Sequence, residues 1–339
     1  MSLTPDQLEH ILASAHKYTI GVLGDLFLDR YLDLDGRWTE PSIETGLDAY
    51  QVVRVRSLPG AAGTVINNLV ALGVGRVVPL SLIGVDGEGF ELLQALTHPN
   101  ILVDGILREP TRRTPAYIKP MLGFPGELPR ELNRIDIHPR EPLSLTIQNK
   151  ILTNIQTWLP HLDALAILDQ VRTPDAGVLT ASVRAFFAAH PPPIPVLADS
   201  RFRIGCFSGV MLKPNEAEAL AAVPHAADPL TAAENLARQC GRTVFLTQGA
   251  RGICCVSPDQ PTQQIPAYRV SGPTDPVGAG DSTTAGILTA LVAGLPVGTA
   301  AAFGCLVASI TVTQLGTTGV ATPTDLRNRL GMQLSSENS

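Results

Sequence analysis

The stretch Ser271–Leu295, SGPTDPVGAGDSTTAGILTALVAGL, decides how the chain is to be read. Its first part is too rich in Pro and Gly for regular structure. Ser282 to Ala293 is then mostly small or apolar and free of charge, the composition of a buried helix. Between the two, Gly278-Ala279-Gly280-Asp281 reads as a glycine loop feeding a helix N-terminus. The first amides of a helix have no partner within it and carry the positive end of its dipole, and residues without bulky side chains let an anion reach them. Phosphate is the anion this junction suggests. A carboxylate beside such a site repels the phosphate, so Asp281 needs another role; accepting a proton from a hydroxyl that attacks phosphorus is the one that fits. A plain turn with Asp281 as helix N-cap is the competing local reading.

The 339 residues suffice for one large α/β domain or two smaller ones. Scarce aromatics with plentiful Ala, Val, Leu and Gly suit helices packed on a parallel sheet. A net charge of −6 without a long basic run argues against a nucleic-acid surface. The five cysteines are odd in number and include no C-x-x-C pair, so neither a disulfide framework nor a zinc site is implied, and reduced thiols in the cytoplasm are expected. The N-terminus lacks a basic segment followed by an apolar core. Gly294 and Pro296 break the apolar stretch Ile287–Val312 into pieces too short for a bilayer, so neither secretion nor membrane insertion is expected.

Along the chain, Thr4-Pro5-Asp6-Gln7 reads as a capping box opening an amphipathic helix. Tyr18–Leu23 reads as a buried strand whose carboxyl end delivers a polar loop, Gly24–Tyr31, where open α/β sheets bind ligands. Asp33–Leu58 has the alternation of an exposed hairpin. A second such piece comprises Thr114–Met121 and Asn133–Ile137. Pro59-Gly60-Ala61-Ala62-Gly63-Thr64 leads into an apolar helix ending at Gly73, followed by a strand from Val77 to Ile83. Apolar runs near 164–168, 195–198, 210–212 and 244–246 alternate with helical ones, which implies right-handed crossovers and a mainly parallel sheet. Strand ends supply Asp199 with Arg201, then Lys213-Pro214-Asn215-Glu216-Ala217-Glu218, in which Asn215 also suits a helix N-cap. No internal repeat and no disordered linker is evident, and the helix Thr299–Gln314 is apolar nearly all round.

The run Asp275-Pro276-Val277-Gly278-Ala279-Gly280-Asp281 before an apolar helix resembles the C-terminal signature of the ribokinase-like (PfkB) carbohydrate kinases. Gly24-Asp25-Leu26-Phe27-Leu28-Asp29-Arg30-Tyr31 is most similar to the kinase domain of the heptose-7-phosphate kinases. The resemblance covers Ile20 to about Leu330. It implies a three-layer α/β/α sandwich with a mainly parallel sheet, forming one kinase domain over residues 1–339. It also implies a small β-lid at about 33–58 and 110–138. Asp281 would be the base and Gly278, Ala279 and Gly280 the anion hole. Asp29, Asp25, Gly60, Ala61, Thr64, Lys119 and Arg134 would face the acceptor, with Arg112 and Arg113 as further candidates for a substrate phosphate. Lys213, Asn215, Thr247, Gly249, Gly252 and Cys305 would face the nucleotide, and Asn215 with Glu218 would order Mg²⁺ through water. The cofactors implied are ATP and Mg²⁺, with a monovalent cation admitted.

Four residues depart from the family's pattern. Pro276 removes an amide donor, Ala61 stands where Gly is expected, Thr64 where an Asn contacts sugar, and Cys305 where an Asn contacts the nucleotide. The resemblance implies a sugar or sugar-phosphate acceptor, heptose 7-phosphate first and another sugar or a nucleoside second. A non-catalytic sugar or nucleotide binder of the same fold is the reading outside enzymology. Lids of this kind often pair, so a homodimer is expected, with no nucleic-acid or membrane partner. The chain has no P-loop and no dinucleotide fingerprint after its first strand, which argues against P-loop kinases and dinucleotide-dependent oxidoreductases. The bifunctional heptose enzymes continue into a nucleotidyltransferase domain; this chain ends before one, so that activity is expected to be absent or separate.

Overall fold

In the computed structural model, which describes residues 3–316 and 318–337, Thr19–Gly24 is a strand buried on both faces. Ile20 and Val22 enter one core and Leu23 another. Its neighbour Ala164–Asp169 divides likewise, with Ala164, Ala166 and Leu168 on one side and Leu165 and Ile167 on the other. Successive strand side chains point to opposite faces, so these strands form the middle of three layers. The first core takes the helices Ala62–Ala71, Ala279–Val292 and Val297–Thr311; the second takes Leu145–Trp158, Ala181–Ala189 and Pro229–Cys240.

Among the described residues the central sheet has nine strands. From one edge they are Ile106–Glu109, Arg76–Gly84, Thr19–Gly24, Ala164–Asp169, Val196–Ser200, Met211–Leu212 and Val244–Thr247, all parallel, then Ile253–Ser257, antiparallel to Val244–Thr247, and Gln260–Ile265, antiparallel to Ile253–Ser257. The mainly parallel α/β architecture is the one expected. At the N-terminus the anticipated capping box is formed by Thr4 and Gln7.

A second, five-stranded sheet stands apart from the first. Its strand Leu26–Asp35 pairs antiparallel with Val52–Ala61 and parallel with Ala116–Gly123, and Ile135–Ile137 and Arg130–Glu131 both pair with the latter. The expected loop Gly24–Tyr31 is therefore corrected. Asp25 alone separates the first strand from the next, and Leu26, Phe27 and Leu28 are buried. Local polarity suggested a loop; what decides the conformation is the Asp25 carboxylate, which accepts the amides of Gln170, Val171 and Val178 and pins the turn. The hairpin thus starts at Leu26, ahead of Asp33.

The helix expected from Ser282 begins earlier, at Ala279, because Gly278 takes φ 81° as its N-cap, a conformation that costs glycine nothing. Asp281 consequently lies in the first turn and is not the cap. Ala61 caps Ala62–Ala71 at φ 53° and ψ −118°, a region an L side chain enters only with strain. Ala61→Gly should raise the denaturant midpoint, by roughly 1 kcal/mol once the greater freedom of the unfolded chain is subtracted; an unchanged or lower midpoint would show that the position is unstrained.

Candidate active site

A cavity of about 710 Å³ opens between the carboxyl ends of the strands after Val196, Met211 and Val244 and the start of the Ala279–Val292 helix. Gly278, Ala279, Gly280 and Asp281 line it. The amide of Ala279 turns back to the Pro276 carbonyl at 3.1 Å, whereas those of Gly278 and Gly280 have no protein acceptor among the described residues. Asp275 holds the loop in shape: its carboxylate accepts the amides of Val277 and Gly316. The result is a helix mouth with free donors and one acid.

Burial pushes Asp281 up to about 7, the nearby Asp199 carboxylate adds to the rise, and Lys213 and Arg201 oppose it. An acid poised near neutrality can take a proton at physiological pH. Lys213 is buried and its ammonium lies 2.6 Å from Asp199. Burial alone would lower its pKa, yet Asp199, with Asp281 and Glu218, leaves it raised and the ammonium charged.

Asn215 caps the short helix Glu216–Ala222 in a reciprocal box with Glu218. Its side-chain oxygen accepts the Glu218 amide at 2.9 Å, and Glu218 Oε2 accepts the Asn215 amide at 2.8 Å. Both line the cavity. Burial raises Glu218, and Asp199 raises it further. No cluster of three or more metal-ligating side chains occurs among the described residues. Hard oxygen donors of this kind, with Asn215 Oδ1 and Glu218 Oε2 each already accepting an amide, fit a Mg²⁺ ion held through water and phosphate oxygens, as that ion prefers. Thr247, Gly249, Gly252 and Cys305 form the far walls.

The acceptor candidates do not line this cavity. They sit on or beside the second sheet, and Asp29 is close enough to act electrostatically on Asp281. Asp29 Oδ2 receives Lys119 Nζ at 3.1 Å, while Oδ1 is buried without a partner among the described residues. Gly60 makes room for that carboxyl: a Cβ there would lie 2.7 Å from Asp29 Cγ. Thr64 is buried against the glycine loop, its methyl 3.4 Å from where a Gly278 side chain would begin. Ala61 packs against the small cluster of Phe27, Val171 and Ala176.

Other candidates are otherwise engaged. Asp25 is pushed up to about 6, chiefly by burial, and its oxygens serve the three amides already named. Arg134 pairs with Asp136 and lies 4.2 Å over the Tyr117 ring, and Arg113 pairs with Glu88. Arg112 donates to the Ala176 carbonyl, its Nε unpartnered among the described residues.

Residues 210–325 match the model of the pfkB family of carbohydrate kinases. The chain is 31% identical over 330 residues to the bifunctional protein HldE of Pelobacter propionicus, covering 94% of this chain and 64% of that one. With HldE of Trichlorobacter lovleyi the identity is 33% over 318 residues, covering 90% and 61%. The chain carries a pfkB family carbohydrate kinase domain over residues 210–325. It spans less than two thirds of the length of these curated relatives. The fold is that of Arabidopsis thaliana ribokinase complexed with ribose and ATP (TM-score 0.67, 17% identity, 92% and 98% of the two chains). Escherichia coli phosphofructokinase-2 gives a TM-score of 0.68 at 16% identity, covering 93% and 99%.

Within this pfkB fold the cavity also recruits residues to which the sequence reading assigned no role. Asp199 and Arg201 were legible as a strand-end pair, but their convergence on Lys213 and Asp281 depends on strand order. Gln170, whose buried Oε1 has no partner among the described residues, lines the cavity from the loop that Asp25 holds. No local pattern marks it. No helix among the described residues is long and apolar enough to cross a membrane.

The raised Asp281 carries a stability consequence. Between its ordinary value and about 7 the folded protein holds a proton that the unfolded chain has lost, so stability falls as pH rises through that window. Asp281→Asn removes the loss. Melting of the variant should exceed wild type at pH 8, by an amount on the order of a few kcal/mol at most, and the two should converge toward pH 4. A gap that widens on acidification would refute the burial of the charge.

Proposed function

We propose that the protein is an ATP-dependent kinase that transfers the terminal phosphoryl group to a hydroxyl of a sugar or sugar phosphate, with Asp281 as general base. The observation that carries this reading is the placement of Asp281, with a nucleotide-sized cavity on one side and the half-satisfied Asp29 carboxyl on the other. An acceptor hydroxyl bonded to Asp29 Oδ1 would satisfy that oxygen and present its neighbour to Asp281. The free amides of Gly278 and Gly280, at the positive end of the helix, would face the charge that develops on the phosphoryl group. An exposed helix end contributes about 0.3–1 kcal/mol, whereas aligning two reactants contributes roughly 7–11 kcal/mol. Alignment therefore dominates, and the second sheet acts as the lid that secures it and excludes water.

Asn215 and Glu218 would hold Mg²⁺ through its water shell, and the ion when bound neutralises phosphate charge. Lys213, Thr247, Gly249, Gly252 and Cys305 would accommodate ATP, in the cytoplasm where ATP is available. The names of the relatives and the segment Gly24–Tyr31 favour heptose 7-phosphate as acceptor, while Ala61 and Thr64 reshape its pocket. The exposed Val53 and Val55 on the edge strand Val52–Ala61 support pairing of lids in a homodimer. A monomeric mass by light scattering at micromolar concentration would end that part of the reading.

ADP release should be stimulated by one member of a panel of heptose phosphates, hexoses and pentoses, and abolished by chelating Mg²⁺. With that acceptor, Asp281→Asn should lose about 10²–10⁴-fold in turnover while ADP still raises its melting temperature. Wild-type turnover in this variant would remove Asp281 from the chemistry.

A further inference from the structure

Asp199 lies near the end of its strand, and Lys213 follows the neighbouring strand; the Lys213 amide donates to the Ala198 carbonyl at 2.8 Å. Both side chains line the cavity, exposed by only 3% for Lys213 and 8% for Asp199. The Lys213 ammonium reaches to within 3.6 Å of where a Gly280 side chain would begin, one residue from Asp281. Its ion pair nevertheless goes to Asp199, at 2.6 Å, and none with Asp281 is formed among the described residues.

A buried ammonium beside a buried carboxylate attracts it strongly. Contact with Asp281 would occupy the lone pairs that a base must offer, and it would stabilise the anion so well that its affinity for a proton falls. Such a lysine is useful to a phosphoryl-transfer site only if something holds it away from the base.

We propose that Asp199 is a positioning residue that diverts Lys213 from Asp281, keeping the ammonium on the cavity floor toward phosphate and the base carboxylate toward the acceptor hydroxyl. This rests on the reading of Asp281 as general base. The other charges acting on Asp281 come from Arg201, exposed at the cavity rim, and Asp29, already paired with Lys119. Neither changes when Asp199 is replaced; what changes is the loss of Asp199's own charge, which in the wild type raises Asp281, and the release of the lysine, and a Lys213→Met background separates the two.

Two measurements test the proposal. In a crystal structure of Asp199→Asn with ADP, the Lys213 ammonium should move to hydrogen-bonding distance of Asp281; an ammonium that stays beside residue 199 would overturn the proposal. Kinetically, with D-glycero-D-manno-heptose 7-phosphate as probe, or the better acceptor from the panel, Asp199→Asn should lower kcat about 10- to 100-fold with little change in acceptor KM. Its acid limb in kcat/KM should shift to lower pH, and by less in a Lys213→Met background, where only the loss of Asp199's own charge remains. In a Lys213→Met background the same Asp199→Asn change should cost less than roughly threefold, because there is no ammonium to divert.

An equal cost in both backgrounds, or an unmoved acid limb, would sink the idea. Should Asp199→Asn fail to fold, Asp199→Glu supplies the test: it still offers a carboxylate to Lys213 and should keep kcat within about fivefold of wild type. A folded, ADP-binding Asp199→Glu protein that loses more than that would count against diversion. Retained turnover in Asp281→Asn would remove the base itself, a different failure from an additive cycle.

Discussion

The site depends on how one helix begins. Gly278 takes a left-handed conformation, the chain enters the helix at once, and the third helical residue is a half-buried aspartate at the carboxyl edge of a parallel sheet. An unpaired carboxylate in that position is electrostatically unfavourable, and the local cations relieve the cost only in part, since Asp281 still rises to about 7. In the proposed reaction, that residual cost would let the acid serve as a base. A fully compensated carboxylate would be a stronger acid and a poorer base.

The surrounding charges are arranged by strand order more than by sequence proximity. Asp199 and Lys213 come from adjacent parallel strands, Asn215 and Glu218 from the helix start after the second of these, and Asp281 from a helix late in the chain. On the second sheet the arrangement is different: Lys119 pairs with Asp29, Arg56 with Asp33 and Arg134 with Asp136. Those cations are balanced within the sheet itself. The cavity side holds the less evenly matched charges, consistent with phosphate chemistry there and hydroxyl recognition opposite.

Much of this was legible from residues alone. The strand Ala164–Asp169 announces itself as a continuous apolar run, as strands buried on both faces must, and Gly-Ala-Gly-Asp before an uncharged helix marks the helix start that lines the cavity. Three features were not legible, each for a long-range reason. Leu26–Asp35 looks like a loop because its polar residues suggest solvent, yet its partners lie 18 to 35 residues away on one side and 88 on the other. Asp25 looks like a ligand for substrate, but the amides it serves belong to a loop roughly 145 to 153 residues on. Lys213 reads as an ordinary phosphate contact until the strand order sets Asp199 beside it.

The chain passes between the two sheets at points that fall side by side. Leu26 sits opposite Ala61, and Leu28 opposite Ala116, so an outgoing and two other crossings share one row. Any swing of the small sheet relative to the large one must turn about that row as a door turns on its jamb. Whatever lies beyond it, including the excursion from Gly36 to Gln51, can lengthen, shorten or change partners without disturbing the cavity at the start of the Ala279–Val292 helix.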